Sequence, residues 1–248
     1  MNKIQDIQKE EIDFWKNSKD EKPGARSTSK ILEKASNGNI FLECINNISE
    51  INWKDNLNVL ELGAGQGWAS CILKSLHKGS IFTATDISKY AIASITQWEE
   101  IFDTKVDKTY ACKSYETNEQ KNSIDLVFTF ASAHHFIKHK KTLKELKRIL
   151  KSGGIAAYLF EPVTPPYWYS LAYKRVNSIR PEVHEDVLDV SRISKIAEDV
   201  GLKFKIIYTP IFRYRSGLSQ TIYYIFLNKI PFFQKFFPAT ATLIFKKE

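Results

Sequence analysis

Three glycines on alternate positions follow a short apolar run in the first third of the chain. Residues 58–62 read Asn-Val-Leu-Glu-Leu, then come Gly63, Gly65 and Gly67, and a helical pattern begins directly afterwards. Because glycine has no Cβ, a ligand can approach the backbone closely at such a turn. The amide groups at the start of the next helix are left to face that ligand. The pattern predicts a ligand site at the carboxyl end of a strand in an open α/β sheet.

The spacing of these glycines excludes two nucleotide-binding motifs. A dinucleotide-binding turn, G-x-G-x-x-G, would need its third glycine where the chain has Trp68. A phosphate-binding loop would need Gly-Lys-Ser or Gly-Lys-Thr at the end of the run, and that sequence does not occur there. The remaining pattern is E-x-G-x-G-x-G, from Glu61 to Gly67. Its alternative interpretation is an incidental glycine-rich turn.

This pattern resembles the first motif of the class I S-adenosylmethionine-dependent methyltransferases, in particular those that act on small molecules. The resemblance implies that S-adenosyl-L-methionine is the cofactor and that Gly63, Gly65 and Gly67 lie against its methionine end. It also implies that Glu61, on the first strand, helps to hold the amino group of the cofactor.

A second acidic residue stands at a distance that suits the same ligand. Asp86 ends a β-rich run about twenty residues after the glycines, the offset at which an acid can reach a ribose. A carboxylate can accept hydrogen bonds from two vicinal hydroxyls. Asp86 could instead cap the following helix, but Ser88 can do so equally well. We therefore expect Asp86 to bind the ribose and Ile87 to lie on one face of the adenine.

Two later stretches continue the resemblance in the same order. A buried strand over 123–130 leads into Ala-Ser-Ala-His-His-Phe, and Leu-Lys-Ser-Gly-Gly at 150–154 leads into another strand. Together the motifs cover about residues 58–161. Many members of the family carry an acid after the third strand, near the adenine amino group, where this chain has Ser114 and Tyr115. The resemblance implies adenine contacts at these two positions.

The fourth strand ends at Phe130, which the resemblance places against the cofactor, and His134 and His135 follow it. Methyl transfer is a displacement for which the protein mainly supplies proximity and orientation. An oxygen nucleophile also benefits from a base with a pKa near neutrality, which histidine provides. We expect one histidine of the pair to face the methyl group, with His184 as a rival base. A hydrogen-bonded structural role is the alternative for the pair, and Glu161 could orient a substrate hydroxyl.

Two segments lie outside the common scaffold and are rich in aromatic residues, at about 164–190 and 211–238. We expect both to form a lid over the ligand edge of the sheet, close to Trp15 of an N-terminal helix. Tyr167 and Tyr223 would contact the acceptor there, since aromatic faces stack on planar or sugar rings. A small helical cap that packs its own core is the alternative.

The composition bounds the class of protein. The chain has 248 residues and a formal net charge of +8, carried by dispersed lysines that favour a solvated surface over a nucleic-acid site. Three distant cysteines and a polar amino terminus indicate a reducing, cytoplasmic setting. The phenylalanines of 232–237, with Lys229 and Lys235, could also contact the inner surface of a membrane, and a homodimer is a further expectation.

Alternating strands and helices predict a Rossmann-like α/β fold. We expect a seven-stranded, mostly parallel sheet with an antiparallel last strand and helices on both faces. Residues 1–57 would form an N-terminal helical cap, and 58–248 the methyltransferase domain. The expected reaction is metal-independent O-methylation of a small-molecule or glycan-linked acceptor, since the acids near the ligand edge are single and build no metal cage. The alternatives are C- or N-methylation of a quinone, lipid or amine, and a non-catalytic partner subunit that binds the cofactor.

Overall fold

The computed structural model describes residues 3–24, 27–54, 56–179, 185–211 and 217–248. Eight strands form one sheet in the described part of the chain. They are β1 Asn58–Leu62, β2 Ile81–Asp86, β3 Lys108–Ala111, β4 Ile124–Phe130, β5 Leu150–Thr164, β6 Leu188–Asp189, β7 Lys203–Tyr208 and β8 Ala239–Lys246. The α-helices are α1 Lys3–Asn17, α2 Thr28–Asn46, α3 Trp68–Leu76, α4 Lys89–Ile92, α5 Ile95–Ile101, α6 His139–Ile149, α7 Tyr169–Ile179, α8 Val190–Val200 and α9 Leu218–Lys229.

The strand order is β3-β2-β1-β4-β5-β8-β7. The pairs from β3 to β5 are parallel, and β8 runs antiparallel between β5 and β7. The seven strands in this order, of which β8 is antiparallel, confirm the predicted fold class. The two-residue strand β6 adds an eighth member beside β5, and it is too short to show a periodic pattern in the sequence.

Helices cover both faces of the sheet, and each face has its own apolar core. One core joins α2, α3 and α5 to side chains such as Phe82 and Phe128, and the other joins α6 and α8 to side chains such as Tyr158 and Phe245. The first core explains why α2 continues through Asn-Gly-Asn at 37–39, where a break was conceivable. Gly38 is buried so close to Ile72 of α3 that a Cβ there would lie 3.2 Å from its Cδ1.

The region after β2 contains two short helices, α4 and α5, and not one continuous helix. Ser88 caps α4 as predicted, with its Oγ 3.4 Å from the amide nitrogen of Ala91. The helix then stops and restarts as α5. At the junction the Ser94 hydroxyl donates to the carbonyl of Tyr90, four residues earlier, at 3.5 Å. Such back-bonding by serine bends helices, which accounts for the division.

The two aromatic segments fold against each other. The first contains a 3₁₀ turn at Pro166–Trp168 and α7, and the second contains α9 and a 3₁₀ turn at Pro231–Lys235. The rings of Trp168 and Phe237 lie 6.2 Å apart, and Tyr223 and Phe233 pack on the core beneath α6 and α8. None of the described helices is both long and apolar enough to span a lipid bilayer.

Candidate active site

A cavity of about 640 Å³, counting the space at its mouth, opens at the carboxyl ends of β1 to β4. This is the edge at which open α/β sheets bind ligands. Its wall combines the glycine turn, the acid after β2, the loop after β3, the turn after β4 and one face of α1. The lining residues are Ile7, Gln8, Glu11, Leu62, Gly63, Thr85, Asp86, Ile87, Cys112, Ser114, Tyr115, Ser132, His135, Phe136 and Ile137.

The glycine turn has backbone angles that favour glycine, and neighbouring side chains lie so close to its backbone that a Cβ would crowd them. Gly63 and Gly65 have φ angles of +65° and +54°, which side-chain-bearing residues rarely adopt. A Cβ on Gly63 would lie 2.1 Å from the Ser132 hydroxyl, and one on Gly65 would lie 3.2 Å from the indole of Trp15. The turn therefore has two close neighbours, the loop after β4 on one side and α1 on the other. Gly67 is the residue immediately before α3.

Asp86 lines the cavity and is almost completely buried. Its carboxylate accepts hydrogen bonds from the amides of Gly65 and Ser88, both at 2.8 Å. Burial raises the pKa of this carboxyl to about 7, and the charge of Glu11 acts in the same direction. The acid expected to bind the ribose therefore also joins the glycine turn to the start of α4.

Glu61 lies behind the glycine turn and is directed at α3. Its Oε2 accepts hydrogen bonds from the amide and the hydroxyl of Ser70, at 3.1 and 2.5 Å. Burial raises the pKa of Glu61 to about 8, against the effect of these bonds. Glu61 is 2% exposed and is separate from the cavity wall as the structure describes it. Glu61 fixes the amino end of α3 through its two hydrogen bonds to Ser70.

The two adjacent histidines have different surroundings. His134 is buried between two carboxylates, with Nδ1 2.8 Å from Glu161 and Nε2 3.0 Å from Glu185. Burial alone would lower the pKa of His134, but the two carboxylates raise it to about 10. Both ring nitrogens of His134 thus carry protons near neutral pH. His135 lines the cavity, and its Nδ1 lies 3.9 Å from the Glu11 carboxylate.

Glu161 lies within β5 rather than beyond it, and its carboxylate is fully buried. It accepts hydrogen bonds from the amides of Ser132, Ala133 and His134 at 2.9, 2.7 and 3.2 Å, besides the one from the His134 ring. No surface of this carboxylate is left for a substrate hydroxyl, so the expected direct contact does not match the geometry. Glu161 instead holds the turn that presents His135.

A bulge in β5 directs Glu161 at this turn. The pairing of β5 with β8 changes register between Tyr158 and Glu161, and Phe160 has a φ of +55°. Ala131, which begins the turn after β4, has a φ of +46°. Bulges and strained backbone of this kind redirect side chains beside functional sites. Neither feature has a glycine that would have revealed it in the sequence.

The N-terminal helix contributes more to the cavity than the sequence suggested. Glu11 faces His135, and it also accepts a hydrogen bond from the Trp15 indole at 3.1 Å. Gln8 donates to the Tyr115 hydroxyl at 3.2 Å. Trp15 covers Gly65 as described above, so α1 closes one side of the site. The only signal for Glu11 in the sequence was its place on an amphipathic helix, one turn before Trp15.

Three residues that were expected to contact the adenine lie on the cavity wall, one after β2 and two after β3. They are Ile87, Ser114 and Tyr115. The Ser114 hydroxyl is 2.9 Å from that of Thr142 in α6. Phe130, in contrast, packs in the first core, with its ring stacked on Phe160 at 5.8 Å, and is not part of the described cavity wall.

The aromatic segments do not line the cavity in the part of the chain that the structure describes. Tyr167 is 65% exposed, and its hydroxyl donates to the carbonyl of Phe236 at 2.8 Å. The Tyr223 hydroxyl donates to the carbonyl of Pro238 at 2.7 Å. The predicted lid is therefore corrected: α1 provides the described cover, because the aromatic rings pack on one another and on the second core. His184 lies outside the described residues.

The structure also brings together a set of donors that the sequence did not predict. His134, His135 and Glu185 each offer an atom within 4.8 Å of the others, and such donors can hold a metal ion. The expectation of a metal-free site rested on the single acids at the ligand edge and did not anticipate that two histidines and one acid would meet here. An ion could bind there only if His134 lost the proton that it shares with Glu185 at 3.0 Å.

Comparison with known proteins identifies the chemistry of this fold. Residues 60–158 match a family model described as a methyltransferase domain. No match to a curated protein sequence was found. The geranyl diphosphate C-methyltransferase of Streptomyces coelicolor A3(2) superimposes with a TM-score of 0.66 at 12% identity, over 100% of this chain and 99% of the other.

Two further solved structures share the fold. A protein described as a putative sarcosine dimethylglycine methyltransferase, from Galdieria sulphuraria, has a TM-score of 0.64 at 16% identity, over 98% of each chain. The phosphoethanolamine N-methyltransferase 2 of Haemonchus contortus, in complex with S-adenosyl-L-methionine, has a TM-score of 0.65 at 16% identity, over 95% of this chain and 59% of the other. Residues 60–158 therefore carry a methyltransferase domain, and the chain has the Rossmann-like fold that these S-adenosylmethionine-dependent methyltransferases share.

Proposed function

We propose that the protein methylates a hydroxyl oxygen of a small-molecule or glycan-linked acceptor, without a metal ion, and that His135 acts as the general base. The observation that carries this proposal is the position of His135. It stands on the cavity wall with a carboxylate, Glu11, 3.9 Å from its Nδ1. A histidine beside an acid is the usual arrangement for a base that must accept a proton and remain oriented.

The cavity residues fit the cofactor. S-adenosyl-L-methionine supplies a methyl group that is already activated on a sulfonium, so the protein has only to orient it and to prepare the acceptor. Gly63 allows close approach to the backbone, Asp86 provides a carboxylate for the ribose, and Ile87 provides an apolar face for the adenine. Glu61 and Ser70 fix the helix start next to the methionine end. Gly65, Gly67, Ser114, Tyr115 and Phe130 complete the proposed cofactor contacts.

The proton transfer assigns different roles to the two histidines. His135 takes the proton from the acceptor hydroxyl as the oxygen attacks, and Glu11 stabilises the imidazolium that forms. His134 stays protonated between Glu161 and Glu185 and positions the turn that carries His135. Because His134 has no lone pair to offer at neutral pH, the adjoining donor set supports a metal-free reaction.

The proposed domain organisation follows from the contacts of α1. Residues 1–57 act as a cap, and α1 must move to admit the cofactor or the acceptor to the domain formed by 58–248. His184 stays a proposed contact for larger acceptors, whereas the Tyr167 and Tyr223 hydroxyls are engaged outside the cavity. A cytoplasmic location and a homodimer are parts of the same proposal.

Acceptor identification tests the proposal directly. The protein is incubated with fractionated cell extract and with cofactor whose methyl group carries two labels. Carbon-13 reports the chemical shift of the methyl carbon, and a radioactive isotope allows the labelled fraction to be detected. A labelled small molecule or glycan, whose methyl carbon has the chemical shift of an ether or ester, is the expected result. A label on nitrogen or carbon would replace the proposal with the alternative reactions. Cofactor binding without label in any fraction would favour a non-catalytic partner subunit.

A further inference from the structure

Helix α9 has an apolar outer face. Leu218, Ile222, Ile225 and Phe226 are 79%, 58%, 37% and 38% exposed. Their spacing of four, seven and eight residues from the first places them on one side of a helix. The opposite side carries Leu227, which is completely buried. A helix that is apolar on both sides needs a partner for the side that faces outward.

The apolar face extends beyond this helix into both aromatic segments. Of the fifteen large apolar side chains that are exposed in the described residues, nine belong to these segments. The segments are joined by the hydrogen bond of Tyr167 to Phe236 and by the contact of the Trp168 and Phe237 rings, whose centres are 6.2 Å apart. The face, called the α9 face below, consists of Tyr167, Leu171, Leu218, Ile222, Ile225, Phe226, Ile230, Phe232 and Phe236.

The parts of the two segments that carry the α9 face, 164–179 and 211–238, have charge of one sign. Residues 211–238 contain four lysines or arginines and no aspartate or glutamate, and residues 164–179 contain two basic residues and no acid. Lys235 lies over the rings of Phe232 and Phe236, with its Nζ 4.8 and 5.0 Å from their centres. Lysines that extend past exposed aromatic rings are typical of surfaces that contact lipid headgroups.

We propose that the α9 face docks on the surface of an anionic lipid bilayer. The apolar side chains enter the boundary between headgroups and acyl chains, and the basic residues attract the anionic headgroups. A second copy of the chain fits this face less well. A symmetric dimer places the same surface against itself, so Lys229 and Lys235 of one copy would meet the same two lysines of the other, with no aspartate or glutamate in residues 211–238 to pair with them.

Vesicle sedimentation with the full chain tests the docking. The parent is mixed with vesicles of neutral phosphatidylcholine, with or without anionic phosphatidylserine. The Leu218→Glu/Ile222→Glu variant removes the apolar face of α9, and Leu32→Glu/Leu76→Glu is its matched control. The control has the same charge change at side chains that are 65% and 58% exposed elsewhere. Retained circular dichroism and binding of S-adenosylhomocysteine show that each variant is folded.

We expect the parent to bind anionic vesicles and to bind neutral vesicles at least about tenfold more weakly. The Leu218→Glu/Ile222→Glu variant loses about tenfold or more in partitioning, whereas the control retains at least half of it. Lys229→Glu/Lys235→Glu should lose more than the exposed control pair Lys54→Glu/Lys121→Glu, since each basic residue near the surface contributes about fivefold. Equal binding by the α9 and control variants, or no binding by the parent at low salt, would overturn the proposal. A dimer of the parent that forms without vesicles, and that the Leu218→Glu/Ile222→Glu substitutions dissociate, would also overturn the proposal.

Discussion

His134 and His135 are adjacent residues of the same type, but the carboxylates around them give the two rings different roles. His134 lies between two carboxylates and is held as an imidazolium, while His135 lies on the cavity wall beside one. A base must have a lone pair, and the His134 ring, held between the two carboxylates with a raised pKa, has none to offer at neutral pH. The sequence predicted one histidine for the methyl group and one for support, but could not assign them.

Replacing the proposed base should reduce turnover selectively. We expect His135→Ala to lower kcat by about 10²–10⁴-fold, the usual contribution of general-base catalysis, with little change in the Kd for S-adenosylhomocysteine. Steady-state kinetics and calorimetry on the same preparation measure both quantities. The control is His77→Ala, because that ring stacks on Trp53 and is not part of the cavity wall. Full activity of His135→Ala across the pH range would leave positioning as the whole mechanism.

The buried imidazolium should make stability depend on pH. The folded pKa of His134 is about 10, above its ordinary value of 6.5. Its contribution to the free energy of unfolding is therefore fully present below pH 6.5 and is lost as the pH rises through about 10. Urea unfolding at several pH values measures this loss.

The raised pKa values of Glu61 and Asp86, about 8 and about 7, act in the same direction. His134→Gln separates the contributions, since glutamine has no such titration. Its stability should fall less than that of the parent between pH 7 and 10. Parallel curves for the two proteins would show that His134 is not the charged group described here.

At the scale of elements, α1 is the part of the structure that closes the site. It places Gln8 on Tyr115, Glu11 beside His135 and Trp15 over Gly65. Helix α1 contacts the body of the protein mainly through α4 and this cavity. An element with few other contacts can open at low cost, which a closed cofactor site requires.

Shortening the indole should loosen this cover. We expect Trp15→Ala to raise the dissociation rate of S-adenosylhomocysteine by about tenfold, because a buried aromatic contact of this size contributes roughly 1–3 kcal/mol. Stopped-flow displacement measures the rate. The control is Phe14→Ala, which removes the neighbouring ring, 38% exposed. If the two variants release the ligand equally fast, the contact of Trp15 with Gly65 does not hold the site closed.

The elements that the sequence predicted are those with a periodic pattern and a local stop signal. Strands β1, β2 and β4 lie where their apolar patterns and the residues that end them predicted. The two-residue β6 has no period to detect. The division between α4 and α5 depends on one serine hydroxyl, which the sequence shows but does not orient.

For the whole molecule, the order of the motifs predicted the sheet, the cofactor class and six of the fifteen residues that line the cavity. Contacts between distant segments could not be predicted in the same way. Glu11 meets His135, and Glu185 meets His134, only because the folded chain brings α1 and the end of the first aromatic segment to the turn after β4. The bulge that directs Glu161 there involves pairing with β8, the last strand.

The central claim is that the cavity at β1 and β2 binds S-adenosylmethionine through Asp86 and the glycine turn. Calorimetry with S-adenosylhomocysteine tests it on the parent, Asp86→Asn and Gly65→Val. The control is Asp125→Asn, an acid that accepts from the amide of Asn58 at the amino end of β1, away from the cavity. Thermal unfolding confirms that each variant is folded.

We predict one binding site in the parent and an unchanged Kd in the control. Asp86→Asn should weaken binding by about tenfold to a hundredfold, the usual loss for a hydrogen bond to a charged group. Gly65→Val should weaken it as well, because the valine side chain would occupy space beside the ligand and Trp15. Unchanged affinity in both cavity variants, or tight binding of NAD by the parent, would contradict the account.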